Sequence, residues 1–191
     1  MKFNTKLLHG NKMGDANTGA TLTPVYQSSA FYQPSAEQHE KLFHNKATGF
    51  SYTRINNPTI LAFEERMTTL EGGLASVACA SGMAAITNAL LNIVTCGQEI
   101  VASTSLYGGS IDVFHDFEAF GIKTVFVDIS DVNAVEAAIN EKTRVIFAET
   151  IGNPKLDVVD IEALAELAHQ HDLPLVMDNT AVSYTHLRAH E

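Results

Sequence analysis

From Leu74 to Asp178 short apolar runs alternate with longer segments of helical periodicity, and this alternation leaves few architectures open. Leu74 to Ala80, Ile100 to Ala102, Lys123 to Val127, Val145 to Ala148 and Leu175 to Met177 read as strands. Between them, Met83 to Val94 is apolar on nearly every side, which predicts a buried helix. Ser110 to Phe120, closed by Gly121, predicts a second, and Asp131 caps a third reaching about Asn140. Asp160 caps a fourth, with Ile161, Leu164 and Leu167 facing inward. The fold class is α/β, a mostly parallel sheet with helices on both faces.

Ahead of this region the chain is rich in Gly, Asn, Thr, Pro and Gln with little periodicity, so residues 1–57 read as an irregular arm. At Pro58 the pattern changes. Ile60, Leu61, Phe63, Met67 and Leu70 recur at helical spacing, Pro58 suits the helix start and Gly72-Gly73 its end. With 191 residues, 46% hydrophobic and 18% charged, the chain can bury one sizeable core. Its formal charge of −10 without a basic cluster argues against nucleic acid and anionic membrane surfaces as partners. Met1 to Leu8 lacks the long apolar core of a secretory signal, and no segment is long and apolar enough to span a bilayer. Cys79 and Cys96 stand alone in apolar stretches, as reduced thiols of a cytoplasmic protein do.

Ligands of such sheets bind where strands end and helices begin. Ser81-Gly82-Met83 follows one strand and opens a helix, so its free N–H groups and the helix dipole suit a phosphate; a tight connection is the plainer alternative. Tyr107-Gly108-Gly109 lies at another strand-to-helix junction, as a ring laid over a planar ligand or as a core tyrosine beside a turn. Asn153, within Glu149 to Pro154, is either a donor to a ligand oxygen or turn chemistry. Asp178 ends the last strand as a turn cap or as the anion for a protonated heteroaromatic nitrogen. In the arm, Arg54 of Tyr52-Thr53-Arg54 has the planar donor geometry preferred for phosphate, or is a solvated surface residue. His169 and His171 sit at a helix end, and His186 and His190 lack a metal-binding pattern; no metal is assigned.

Tyr52 to Thr59, Ala80 to Ala85, Leu106 to Gly109, Glu149 to Pro154 and Asp178-Asn179-Thr180 together resemble the Cys/Met-metabolism family of pyridoxal-phosphate enzymes, over about Phe3 to Thr180. The Arg54 to Thr59 form, the Gly19 to Pro24 opening and Glu149 to Asp157 are most similar to the O-acetylhomoserine sulfhydrylase branch, with cystathionine gamma-synthase and methionine gamma-lyase as near alternatives. A non-catalytic ligand-binding fragment is the alternative of another class. The resemblance implies the fold-type I large domain, truncated, with pyridoxal 5′-phosphate as cofactor. It implies phosphate binding at Ser81, Gly82 and Met83, ring stacking and proton transfer at Tyr107, and pairing of Asp178 with the ring nitrogen. Asn153 would meet the ring oxygen and Thr180 would support the cofactor. Tyr52 and Arg54 would reach the phosphate of a neighbouring subunit, which implies a homo-oligomer: a dimer with shared sites, assembled as a tetramer. The implied reaction replaces the acetyl-ester group of O-acetylhomoserine with sulfide or a thiol, giving homocysteine or methionine.

The family's Schiff-base lysine lies well downstream of the Asp-Asn-Thr motif, and here no lysine follows Lys155. The expected organisation is an arm over 1–57, a partial cofactor-binding domain over 58–181 and a non-native tail over 182–191. Such a chain is expected to hold part of a site and to catalyse nothing alone.

Overall fold

A computed structural model describes residues 2–10, 15 and 17–187, which divide into two compact units, Met1–Ala78 and Cys79–Glu191. The first unit carries α1 (Phe3–His9), α2 (Ala36–Phe43) and α3 (Pro58–Glu71). The arm is therefore less irregular than its composition suggests. α2 starts at Ser35, whose hydroxyl accepts the Gln38 N–H at 3.1 Å, and a Glu37–Lys41 pair at 2.8 Å spans its solvent face. Ser-x-x-Gln is the capping-box spacing, so the start of α2 was written in the sequence.

α3 begins and ends where Pro58 and Gly72 place it, and Gly72 adopts the left-handed conformation (φ 66°) that closes a helix. Asn57 makes this junction. Its side chain is buried, accepts the Thr59 N–H at 2.8 Å and donates to the Tyr26 carbonyl and Thr53 hydroxyl, both at 3.0 Å. One side chain thus caps the helix and ties down the preceding loop.

The strand expected over Leu74 to Ala80 does not form. An extended segment becomes a strand only when a neighbour bonds to it, and among the described residues no ladder reaches this one. The Ala78 N–H donates instead to Glu64 Oε1 at 2.8 Å, and Leu74 and Val77 lie almost fully exposed.

The second unit is built on four parallel strands in the order β2–β1–β3–β4: β1 (Glu99–Ser103), β2 (Lys123–Val127), β3 (Thr143–Glu149) and β4 (Leu175–Asp178). Among the described residues five helices accompany them, α4 (Gly82–Ile93), α5 (Gly108–Glu118), α6 (Val132–Ala138), α7 (Ile161–Gln170) and α8 (Thr180–His186). Strand side chains alternate between two cores. Ile100, Ala102, Val145 and Phe147 pack with Leu90 of α4 and with Phe114 and Phe117 of α5. Val101, Ile146 and Ala148 pack with Val135 of α6 and with Leu164, Leu167 and Ala168 of α7. Helices on both faces of a parallel sheet are the architecture the alternation predicts.

Two details depart from expectation. α4 was to be buried all round, yet only Leu90 is fully enclosed and Leu91 is half exposed, because within this unit α4 is covered from one side only. Ile161 also faces outward in the first turn of α7, while Leu164 and Leu167 carry the packing. The tail expected from 182 onward begins inside α8, and residues 188–191 lie outside the described residues.

At the amino edge of the sheet, buried Glu99 accepts a hydrogen bond from Asn140 Nδ2 at 2.8 Å and sits 3.6 Å from Lys123 Nζ. The Asn140 bond, followed by the Lys123 charge, holds its carboxyl below the usual range against the opposing cost of burial. A depressed folded-state pKa contributes stability that is present above the unfolded value and is lost as pH falls through the folded one. Urea unfolding followed across acidic pH should therefore show the wild type losing more stability than Glu99→Gln. Parallel losses would remove Glu99 from the acid response.

Candidate cofactor site

The carboxyl ends of β3 and β4 bring two acids side by side, since Glu149 and Asp178 are register partners. Tyr107 lies just beyond β1, at the N-cap of α5. Together with Ser81, Gly82 and Met83 at the start of α4, and with Asn153 and Thr180, these side chains line a cavity of about 360 Å³. Seven residues singled out from the sequence thus meet in one place: Ser81, Gly82, Met83, Tyr107, Asn153, Asp178 and Thr180.

The α4 terminus is suited to an anion. Ser81 accepts the Ala84 N–H at 3.1 Å, which leaves the Gly82 and Met83 N–H groups without a protein partner among the described residues. The space in front of Gly82 is open. Oriented N–H groups at the positive end of a helix dipole favour negative charge.

Asp178 is held by its own loop. Its Oδ1 accepts the Thr180 hydroxyl at 2.5 Å and the Thr180 N–H at 2.9 Å, while its carbonyl accepts the Thr150 N–H at 3.0 Å. Thr150 also donates to Asn179 Oδ1 at 2.8 Å. These bonds leave Asp178 Oδ2 as the oxygen not occupied by Thr180.

Among the lining residues to which motif reading assigned no role, Glu149 is the ionisable one. Its side chain is buried, and its Oε1 accepts the Tyr107 N–H at 2.7 Å. Burial raises its carboxyl above the usual range, helped by the charges of Asp178 and Asp157 and opposed by the Tyr107 and Asn153 N–H groups. The available signal was an acid closing the apolar run Val145 to Ala148, where an ionisable group needs a partner.

The loop carrying Asn153 is clamped to the end of β1. Ser105 Oγ donates to Asp157 Oδ1 at 2.6 Å, and the Gly152 N–H donates to the Asp157 carbonyl at 2.9 Å. A Cβ on Gly152 would overlap both Asp157 Oδ1 and Ser105 Oγ, so this close approach requires glycine.

Tyr52 and Arg54 belong to the first unit. There Tyr52 bridges Ala30, and the Arg54 guanidinium carbon stands 5.4 Å from the Tyr52 ring centroid, within cation–π range. Among the described residues no three metal-ligating side chains gather, and no helix is long and apolar enough to cross a membrane.

Comparison with known proteins points the same way. Residues 4–190 match the family model described as Cys/Met metabolism PLP-dependent enzyme. An O-acetyl-L-homoserine sulfhydrylase of Leptospira meyeri is 46% identical over 183 residues, covering 95% of this chain and 41% of the relative. An L-methionine gamma-lyase of Pseudomonas putida is 38% identical over 179 residues, covering 93% of this chain and 45% of the relative. A Campylobacter jejuni protein assigned as an O-acetylhomoserine (thiol)-lyase, solved with N′-pyridoxyl-lysine-5′-monophosphate, superposes with a TM-score of 0.88 at 32% identity, over 94% of this chain and 44% of that one. A cystathionine gamma-lyase of Lactobacillus plantarum superposes at 0.84 with 40% identity, over 94% of this chain and 45% of that one. The chain spans less than half the length of these relatives. With the family model matched along nearly its whole length and the fold-type I architecture shared with solved relatives, the chain belongs to the Cys/Met-metabolism family of pyridoxal-phosphate-dependent enzymes.

Proposed function

We propose that this cavity holds pyridoxal 5′-phosphate and that the chain is the cofactor-binding part of a transferase. The observation that carries the reading is the cavity's split polarity. An open helix N-terminus and a pair of carboxylates line the same space, and among the described residues no Lys or Arg joins them. A ligand that satisfies both must itself carry an anion and a cation, and the phosphate and protonated ring nitrogen of this cofactor are such a pair. The residues present therefore fit the group.

In this reading the Gly82 and Met83 N–H groups hold the phosphate. Asp178, oriented by Thr180, keeps the proton on the ring nitrogen. Tyr107 covers the ring face and assists proton transfer, while Asn153 donates to the ring oxygen. When bound, the cofactor supplies an electron sink for bond cleavage at an amino acid's α-carbon. Tyr52 and Arg54 serve the phosphate of a neighbouring copy, which makes the working enzyme a homo-oligomer. The free thiols of Cys79 and Cys96 suit the reducing cytosol.

The substrate reading is replacement of the acetyl-ester group of O-acetylhomoserine by sulfide or a thiol, supported by the sulfhydrylase named among the relatives. That activity is proposed for the full-length protein, since the chain spans 41% of the sulfhydrylase it matches.

Two measurements test the two levels. Equilibrium dialysis of the 191-residue chain should show pyridoxal phosphate binding at least about tenfold tighter than pyridoxal, as a helix-terminus phosphate site requires. Equal affinity would sink the phosphate assignment. In the full-length protein, acetate release should require both O-acetylhomoserine and sulfide; keto-acid release from methionine alone would assign the elimination reaction instead.

A further inference from the structure

Tyr107 presents a puzzle of support. It is half exposed, it stands at the N-cap of α5, and its side chain makes no capping bond. A ring so placed is only half covered, yet it is the aromatic surface of the cavity.

Two contacts limit where it can go. The Tyr107 backbone N–H is bonded to Glu149 Oε1 at 2.7 Å, an acceptor delivered from the end of β3. The ring itself lies back across Gly109. A Cβ built on Gly109 would stand 2.5 Å from Tyr107 Cε1, 3.2 Å from Cδ1 and 3.3 Å from Cζ. A side chain at position 109 would meet the ring where it lies, and the ring would have to shift.

Gly109 is not among the residues with positive φ, and it occupies the first turn of α5. Its backbone is open to alanine, which has the higher helix propensity. The glycine is therefore needed for clearance and not for backbone conformation. Glu149 is costly in a complementary way. Asp178 on β4 and Asp157 in the loop after β3 act on it with like charge, and burial disfavours its ionised form. A buried acid so surrounded is retained against these costs by what it holds, the N–H groups of Tyr107 and Asn153.

We propose that Glu149 and Gly109 are positioning residues that set where the Tyr107 ring lies over the cavity, Glu149 by anchoring its backbone and Gly109 by leaving the ring its space. The consequence for catalysis rests on the reading that the cavity takes pyridoxal phosphate; the placement of the ring does not.

The 191-residue chain labelled with 3-fluorotyrosine, its Tyr107 resonance assigned by Tyr107→Phe, reads the ring directly by fluorine NMR. Gly109→Ala should move that resonance while leaving the thermal midpoint unchanged or raised. Glu149→Leu, which deletes the acceptor, should move it too, and Glu149→Gln, which retains an acceptor oxygen, should leave it near its wild-type position. Added pyridoxal phosphate gives a second readout: its induced circular dichroism should fall by half or more in Gly109→Ala and Glu149→Leu and persist in Glu149→Gln. An unmoved Tyr107 resonance in Gly109→Ala overturns the proposal even if the cofactor binds normally. If Glu149→Leu does not fold, Gly109→Ala decides alone. If wild type binds no pyridoxal phosphate, the functional reading fails and the fluorine spectra still decide the placement of the ring.

Discussion

Replacing Phe114 with alanine should cost the second unit about 3–5 kcal/mol, enough to consume a large part of the stability of a domain this size. Phe114 is fully buried in α5 and meets three other rings edge-on: Phe147 at 5.1 Å between centroids, Phe126 at 6.1 Å and Phe117 at 6.3 Å. Edge-to-face geometry adds to the burial of each ring. The alanine would remove this contact set from the centre of one core and leave a cavity that helix and sheet can fill only by moving. Phe120 is the control. It lies just past α5 and is mostly exposed, so Phe120→Ala should change unfolding free energy by no more than about 0.5 kcal/mol. Denaturant titrations of both variants measure the contrast, and a Phe114→Ala loss below about 1 kcal/mol would place the core elsewhere.

A second large effect is expected at Asp178. Asn in its place keeps the shape and an Oδ1 that can accept from Thr180, so the loop geometry survives while the negative charge does not. Removing one member of an enclosed ion pair costs about 3 kcal/mol or more, which is on the order of a 100-fold loss of affinity. Asp178→Asn should therefore bind pyridoxal phosphate about 100-fold more weakly than wild type, and the absorption of what remains bound should shift to that of the unprotonated ring. Asp157→Asn, whose carboxylate serves the Ser105 clamp, should lose far less. Unchanged affinity in Asp178→Asn would mean that the cavity does not select a cation.

How legible all this was depended on the range of the interaction. The four strands of the sheet, the Pro58 start and Gly72 end of α3 and the Asp caps of α6 and α7 were readable because an apolar run, a cap or breaker and a helical pattern are neighbours in sequence. The cavity-lining residues that follow β1, β3 and β4 could be singled out for the same reason, since a parallel sheet gathers its carboxyl edge without help from distant loops. Leu74 to Ala80 failed because strand identity depends on a partner, which no local pattern encodes. α4 failed in a related way: apolar composition states what a helix can bury and not what is there to bury it. Glu149 escaped a role because its bond to the Tyr107 N–H crosses 42 positions of chain, and the clamp joining Ser105 to Asp157 crosses 52.

The two-sided packing of the strands carries one more consequence, a matter of parity. Phe147 faces the layer of α4 and α5, so Glu149, two residues on, emerges on that same side; Val176 and Asp178 repeat the relation on β4. Both acids are thereby delivered to the side of the sheet on which α4 begins. A single-residue insertion or deletion between Phe147 and Glu149 would invert this and point the acid at the layer of α6 and α7, where hydrocarbon awaits it. An insertion of two would keep the sense. Chain length near these strand ends is therefore constrained in steps of two.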